Sequence, residues 1–157
     1  MSTNAGIRKD GDDDLDRSVR DLLLLMPQIM GRVKRLPVPP DLRDMELTPR
    51  HLSLLSLLLF DGSMTVNELA GRLGVAPTTA SLMIGDLSRK GILTRQENDA
   101  DRRQKIIGIA EGHRGAIETW LAPGARAWHR VLAPLSAAER RLFVDTMVAY
   151  HEATQDV

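Results

Sequence analysis

The sequence of 157 residues lacks cysteine, net charge and any long apolar run. Without cysteine, the chain has no disulfide, no thiol redox switch and no cysteine-ligated metal. The densest apolar run, Leu22 to Met26, is too short to span a bilayer, and the N-terminus has no signal-peptide arrangement. We therefore expect a cytoplasmic protein that does not enter a membrane and that is long enough for one domain with a real core.

Aromatic residues are scarce as well: the sequence has two tryptophans, two phenylalanines and one tyrosine. Proteins that bind RNA or single strands stack bases on exposed aromatic side chains, and the segment from Arg72 to Lys105 contains none. That segment has seven basic and four acidic residues, in a chain whose net charge is zero. This local excess favours duplex DNA as a partner, and its modest size indicates that shape and specific contacts supplement charge.

The sequence gives no support for catalysis. It contains no phosphate-binding glycine loop and no nucleophile elbow, so we predict that the protein is not an enzyme. The four histidines are scattered and do not form a metal motif. Although His113, near Glu111, could meet His129 in space, histidines at the surface or at helix caps are the more common arrangement. We predict neither a cofactor nor a metal site.

The stretch from Thr65 to Leu93 predicts a helix-turn-helix. Thr65 and Glu68 have the spacing of a capping box, apolar residues follow at helical spacing, and Gly74 ends the first helix. A second helix is predicted from Pro77 to about Lys90. Its first turns carry small hydroxyl side chains that can reach base edges in a major groove: Thr78, Thr79 and Ser81. Taken alone, this pattern fits a small helical hairpin equally well.

Two strand-like runs follow the second helix. Ile92 to Glu97 and Gln104 to Ile109 are rich in β-branched residues, and the connection between them carries Arg102 and Arg103. Such a hairpin is a wing, which can lay arginines along a minor groove. A helix-turn-helix followed by a basic wing predicts a winged helix.

With these motifs the sequence resembles the multiple antibiotic resistance regulators (MarR family) of bacteria. The resemblance is carried by short stretches along the winged helix: Leu47-Thr48-Pro49, Leu69-Ala70, Leu73-Gly74-Val75, Thr79, Ser81, Leu87 through Leu93, and Asp101-Arg102-Arg103. It implies a mainly α fold with a small β-hairpin wing, in which helices at both ends of the chain form a homodimer.

The resemblance also implies a function. It suggests a repressor that binds a pseudo-palindromic operator and that is released by a small aromatic or hydrophobic effector, for which a pocket is expected near Trp120, Trp128 and the helix of Leu47 to Phe60. Arg103 matches the arginine that the family inserts into the minor groove, and Asp101 matches the acid that holds it. The expected DNA-binding residues are Pro77, Thr78, Thr79, Ser81, Leu82, Arg89, Lys90, Arg95, Asp101, Arg102 and Arg103.

The regions on both sides of the winged helix complete the predicted organisation. We expect an acidic, disordered tail at residues 1–14, a dimerisation helix and connector at 15–40, the winged helix at 41–110, and dimerisation helices at 111–157. Apolar residues from Leu15 to Leu36 follow a seven-residue repeat whose stripe is too wide for one small domain to bury. Pro27 is expected to kink or split the first helix, and Pro123 to interrupt a later one.

Two other functions remain compatible with this sequence. One is a winged helix that binds only proteins, which the zero net charge favours, together with Leu82-Met83 at positions where the family often has arginine. The other is a metal-responsive regulator of the same fold. A shift of duplex DNA that weakens with salt distinguishes the first from a DNA-binding regulator, and zinc retained after dialysis indicates the second.

Overall fold

The computed structural model describes residues 7–154, with side chains from residue 12 onward. The chain divides after Pro37 into two compact units, which are described separately. None of the helices in this described part is long and apolar enough to cross a membrane.

The first unit contains one helix, α1 (Ile7–Val33). The structure corrects the predicted acidic tail, because residues 7–14 are helical, whereas residues 1–6 lie outside the described part. Acidic residues near a helix N-terminus are favourable, and Asp13 and Asp16 each precede an arginine by four residues. Pro27 lies inside the helix and does not split it. Removing one backbone bond is tolerated where the turns on both sides continue.

Most apolar side chains of α1 are exposed. They include the following residues of the predicted seven-residue repeat and its neighbours: Leu15, Val19, Leu22, Leu23, Leu24, Leu25, Ile29, Met30 and Val33. Contiguous apolar surface of this extent is unusual for a monomeric protein. The wide apolar stripe that the sequence predicts for this helix is therefore exposed in the single chain. Its contact with another chain stays a prediction.

The second unit is a winged helix followed by two helices. Its elements are α2 (Pro40–Arg43), α3 (Pro49–Asp61), β1 (Met64–Thr65), α4 (Val66–Leu73), α5 (Pro77–Arg89), β2 (Leu93–Glu97), β3 (Lys105–Ile109), α6 (Glu111–Leu132) and α7 (Ala137–Ala153). The predicted helix-turn-helix and wing are therefore confirmed, with boundaries within one or two residues.

Capping side chains determine where several of these helices begin. The Thr65 hydroxyl accepts from the Glu68 backbone N–H at 3.2 Å, while a Glu68 carboxylate oxygen accepts from the Thr65 N–H at 2.7 Å. The bond from the Thr65 N–H, together with one that the Thr65 hydroxyl donates to the same carboxylate oxygen at 2.9 Å, lowers the pKa of Glu68, because both favour its charged form. Ser136 and Glu139 form the same reciprocal pair at α7. The predicted capping box at the start of α4 is confirmed.

The wing strands form one antiparallel sheet in the order β1, β3, β2. Leu93 pairs with Ile109 and Met64 pairs with Ile107, so β3 lies in the middle. At Gly108 the sheet packs closely against Ser63, since a Cβ atom there would lie 2.6 Å from the Ser63 Oγ and would require that hydroxyl to turn away. The short strand β1, which leads directly into α4, thus joins the wing to the helix-turn-helix.

The core lies between α3, the helix-turn-helix and the base of the wing. Its fully buried side chains come from every element around it: Leu42, Leu54, Leu55, Leu58, Leu69, Ile84, Leu87, Ile92, Ile107 and Ile117. A buried leucine or isoleucine contributes about 1.5–3 kcal/mol relative to an exposed one. One face of α5 therefore packs against this core, and the opposite face of α5 lies at the surface.

The two C-terminal helices contain another correction. α6 continues through Pro123, which was expected to interrupt it. The helix has about three turns on each side, so the missing hydrogen bond does not end it. α6 connects to α7 through Arg140, whose guanidinium donates to the Leu132 and Ala133 carbonyls at 2.9 and 3.0 Å. None of the α7 side chains, all of them within the described range, is fully buried.

Candidate nucleic-acid interface

The turn between α4 and α5 is built by backbone geometry. Gly74 adopts a left-handed conformation with φ of 65°, which glycine reaches without strain, and the Val75 N–H donates to the Ala70 carbonyl at 3.0 Å. Pro77 then starts α5, where a missing amide hydrogen costs nothing. These features set the angle at which α5 leaves the turn.

The first turns of α5 present the predicted contact residues at the surface. Ala80, Ile84 and Leu87 are buried in the core, which leaves the other side of the helix free. The residues Pro77, Thr78, Ser81 and Leu82 are exposed, whereas Thr79 is half-buried. The structure thus brings together the hydroxyl side chains that the sequence singled out, and they occupy one uncharged helical face.

Farther along α5, Asp86 pairs with two of the predicted DNA-binding cations. The Lys90 ammonium donates to its carboxylate at 2.8 Å, and the Arg89 guanidinium lies 3.4 Å from it. The hydrogen bond from Lys90, together with the neighbouring positive charges, lowers the pKa of Asp86, which keeps the carboxylate charged. Arg89 and Lys90 are therefore less available to a phosphate than their positions in the sequence suggested.

The same carboxylate faces His51 at the beginning of α3. His51 Nδ1 accepts from the Thr48 N–H at 3.2 Å, so His51 takes the place that a glutamate usually has in a capping box. Its Nε2 lies 3.6 Å from Asp86. Burial lowers the pKa of His51, and the Asp86 charge opposes that effect only in part. This contact links the start of α3 to the recognition helix candidate, α5.

The wing turn is held by backbone donors to two side chains. The Asp101 carboxylate accepts from the Arg103 N–H at 3.0 Å, and the Asn98 side chain accepts from the Ala100 N–H, also at 3.0 Å. Asp101 therefore contacts the backbone of Arg103 instead of its guanidinium. Within the described residues, neither Arg102 nor Arg103 has an acidic partner, and both side chains are exposed.

Arg103 and Arg95 are brought close to each other by the hairpin. Both line an open cleft of about 270 Å³ together with Thr65 and Asn67 from the start of α4. The Arg95 guanidinium also approaches the Ser88 hydroxyl at 3.4 Å, which places it against the end of α5. Two arginines thus border the helix-turn-helix on its wing side.

A residue outside the predicted set flanks the opposite side. Arg50, on the first turn of α3, lines an open cleft of about 370 Å³ with Ala76, Thr79 and Met83. Its side chain is exposed and forms no ion pair with any described residue. The sequence shows Arg50 as a basic residue directly after the Thr48-Pro49 start of a helix. No local pattern, however, indicates that this helix start lies beside α5.

The expected effector region divides into two environments. Trp120 is buried in the core, whereas Trp128 is 49% exposed and lies 5.6 Å from the Phe143 ring, centre to centre. Trp128 and Phe143 line an apolar groove of about 490 Å³ between α6 and α7. Among the described residues, no cluster of histidine, aspartate or glutamate has the arrangement of a metal site.

Comparisons with known proteins find relatives that are described as helix-turn-helix (HTH) regulators. Residues 47–105 match the model of the MarR family. The HTH-type transcriptional repressor MdtR of Bacillus subtilis is 32% identical over 106 residues, which cover 66% of this chain and 64% of that protein. The HTH-type transcriptional repressor CsqR of Escherichia coli is 37% identical over 76 residues, 47% of this chain and 29% of that protein. The chain thus spans less than two thirds of the length of the curated relatives it matches.

Solved structures show the same fold at low sequence identity. The MarR family transcription regulator SP03579 superimposes with a TM-score of 0.68 at 16% identity, covering 96% of this chain and 97% of that one. A complex of Staphylococcus aureus MepR with DNA has a TM-score of 0.58 at 21% identity, covering 83% and 96%. The mainly α fold with a small wing is therefore confirmed.

Proposed function

Residues 47–105 match the model of the MarR family, and on that premise we propose that this chain is a MarR-type transcriptional repressor that binds duplex DNA as a homodimer. The observation that carries the proposal is the uncharged hydroxyl face of α5, bordered on both sides by arginines without acidic partners. Small side chains let a helix approach base edges, and flanking cations neutralise phosphates. Such a repressor acts in the cytoplasm of a bacterium, and catalysis has no part in the proposal.

In the proposed complex, each part of residues 41–110 has its own task. The first turns of α5 enter the major groove, where Thr78, Thr79 and Ser81 contact bases. Arg102 and Arg103 on the wing follow the adjacent minor groove, and Asp101 keeps the wing turn in the necessary shape. Arg95 and Arg50 contact phosphates on the two sides of α5.

A homodimer is supported by apolar surface outside the winged helix. α1 exposes a long apolar stripe, and α7 exposes Leu142 and Tyr150, which do not line the groove beside Trp128. Removing such surface from water by pairing two chains is favourable, at about 25 cal/mol per Å² of apolar area. A twofold dimer then presents two α5 helices to successive major grooves, about 34 Å or roughly 10 base pairs apart.

Selection from random duplex DNA tests this function directly. The full chain is expected to enrich a pseudo-palindromic site with half-sites about 10 base pairs apart, and to bind it more weakly as salt rises. Failure to retain any duplex, or enrichment of sites with arbitrary half-site spacing, contradicts the proposal. A protein-interaction module, the alternative favoured by Leu82 and the zero net charge, would leave the duplex pool unselected.

The proposal includes release by a small aromatic or hydrophobic effector. The apolar groove beside Trp128 and Phe143 supports this part, because it is lined by six apolar side chains and one histidine. Titration of aromatic acids and hydrophobic drugs should lower DNA affinity and raise the melting temperature together. A broad panel that changes neither quantity would exclude effector control while leaving DNA binding intact.

A further inference from the structure

The exposed face of α5 has an unusual chemical character for a helix that enters a major groove. From Pro77 through Gly85 it carries no charged side chain and no asparagine or glutamine. Bidentate hydrogen bonding to guanine requires arginine or lysine, and bidentate bonding to adenine requires asparagine or glutamine. In the proposed complex, the first turns of α5 therefore have two ways to contact bases: single hydrogen bonds from hydroxyl groups, and apolar contacts from exposed apolar side chains.

Leu82 supplies that apolar surface. Its side chain is 75% exposed, the highest value among the exposed large apolar residues of the described chain. It follows the exposed Thr78 by one helical turn and stands next to the exposed Ser81. Burying a fully exposed leucine side chain against a partner is favourable enough to strengthen a binding equilibrium about tenfold or more.

Gly85 lies close to Leu82 on α5 and carries no side chain. This residue lies three positions farther along the same face, and a Cβ atom there would lie 3.7 Å from the Arg89 guanidinium and 3.9 Å from that of Arg95. Both guanidinium groups lie at the border of the face, and of the two only Arg95 lacks an acidic partner among the described residues and is available to a phosphate.

We propose that Leu82 is a specificity-determining residue that recognises the 5-methyl group of thymine in the major groove. The inference rests on the DNA-binding function proposed above. The thymine methyl group is the apolar feature that base edges present in the major groove, so it is the matching partner for an exposed leucine between hydroxyl side chains. Each half-site then contains a thymine whose replacement by another base is penalised.

Deoxyuridine substitution isolates this contact, because uracil keeps every hydrogen-bonding group of thymine and lacks only the methyl group. The probe is a duplex that wild-type protein selects from a random pool, with its thymines replaced one at a time. At one thymine per half-site, wild-type affinity should fall about fourfold, and about fifteenfold when both symmetric positions are replaced. Leu82→Ala should bind the thymine and deoxyuridine duplexes equally well.

Two variants serve as matched controls on the same helix. Leu82→Met keeps an apolar side chain of similar volume and should retain the preference for thymine. Ser81→Ala removes a neighbouring hydroxyl group and should weaken binding to both duplexes by the same factor, so its thymine preference stays at the wild-type value. Circular dichroism and melting temperature confirm that each variant is folded.

The outcomes separate this inference from the function on which it rests. If wild-type protein selects a duplex but tolerates deoxyuridine at every thymine, Leu82 does not read a methyl group and the inference is wrong. If Leu82→Ala keeps the full thymine preference, another group reads the methyl and the inference is equally wrong. If wild-type protein selects no duplex, the DNA-binding function itself fails, and a protein partner for Leu82 becomes the explanation of its exposure.

Discussion

Replacing Arg103 with alanine is expected to reduce the salt dependence of DNA binding by an amount that the structure allows us to calculate. Four arginines around α5 lack an acidic partner among the described residues: Arg50, Arg95, Arg102 and Arg103. A homodimer doubles this set, and each neutralised phosphate contributes about 0.9 to the slope of log affinity against log salt. If all of them contact phosphates, the wild-type slope reaches about −7.

Arg103→Ala removes one contact from each half of the dimer, so the slope should become shallower by about 1.8 units. Between 50 and 200 mM salt, the affinity ratio of wild type to variant should therefore shrink about tenfold. Titrating a selected duplex at four or five salt concentrations measures both quantities. Arg141→Ala is a charge-matched control on α7, where the side chain is exposed and lies outside the proposed interface.

Asp86→Asn tests the same reasoning in the opposite direction. The carboxylate holds Lys90 and Arg89, so its loss frees two cations per protomer and should make the slope steeper. An unchanged slope in Arg103→Ala would refute a wing contact with DNA. An equal change in Arg141→Ala would show that net charge, and not the position of the arginine, controls the slope.

The remaining predictions concern the wing turn, the start of α3 and the dimer. Asp101→Ala should weaken DNA binding despite removing a negative charge, because the Arg103 N–H loses its acceptor; tighter binding in a filter assay would contradict this. His51→Gln should reduce the loss of stability on acidification: burial lowers the native pKa of His51, so its contribution is present above its ordinary pKa of about 6.5 and is lost as pH falls through the native value. Urea unfolding of both proteins at pH 5 and pH 7.5 measures it, and equal pH dependence refutes it. Leu142→Asp should yield monomers in sedimentation experiments, since this side chain is 68% exposed in one chain; an intact dimer would place the interface elsewhere.

The helix-turn-helix and the wing were predictable because their signals are local. A capping box, a glycine in the left-handed region and a proline at a first helical position act within a few residues, and each was found where the sequence placed it. Pro123 shows the limit of such rules. A local rule counts one lost hydrogen bond, whereas the continuity of α6 depends on the bonds of all the turns around it.

Contacts between distant residues were less accessible from the sequence. The pairing of Asp86 with Lys90 has helical spacing and could have been recognised, because residues four apart on a helix are neighbours. The approach of His51 to the same carboxylate joins residues 35 positions apart, and no local pattern indicates it. The placement of Arg50 beside Thr79 depends in the same way on how α3 packs against the helix-turn-helix.

These tertiary contacts change where positive charge is available for DNA. The charge count from Arg72 to Lys105 includes Arg89 and Lys90, but Asp86 pairs with both and offsets one of their two charges, and Arg50 lies outside that segment. The unpaired arginines lie on the two sides of α5, while the helical face between them carries hydroxyl groups and one leucine. In the proposed complex, phosphate contacts contribute affinity and base contacts contribute discrimination, so this separation assigns the two properties to different residues. Affinity and specificity should then respond to different substitutions, with arginine variants changing salt dependence and α5 variants changing the preferred sequence.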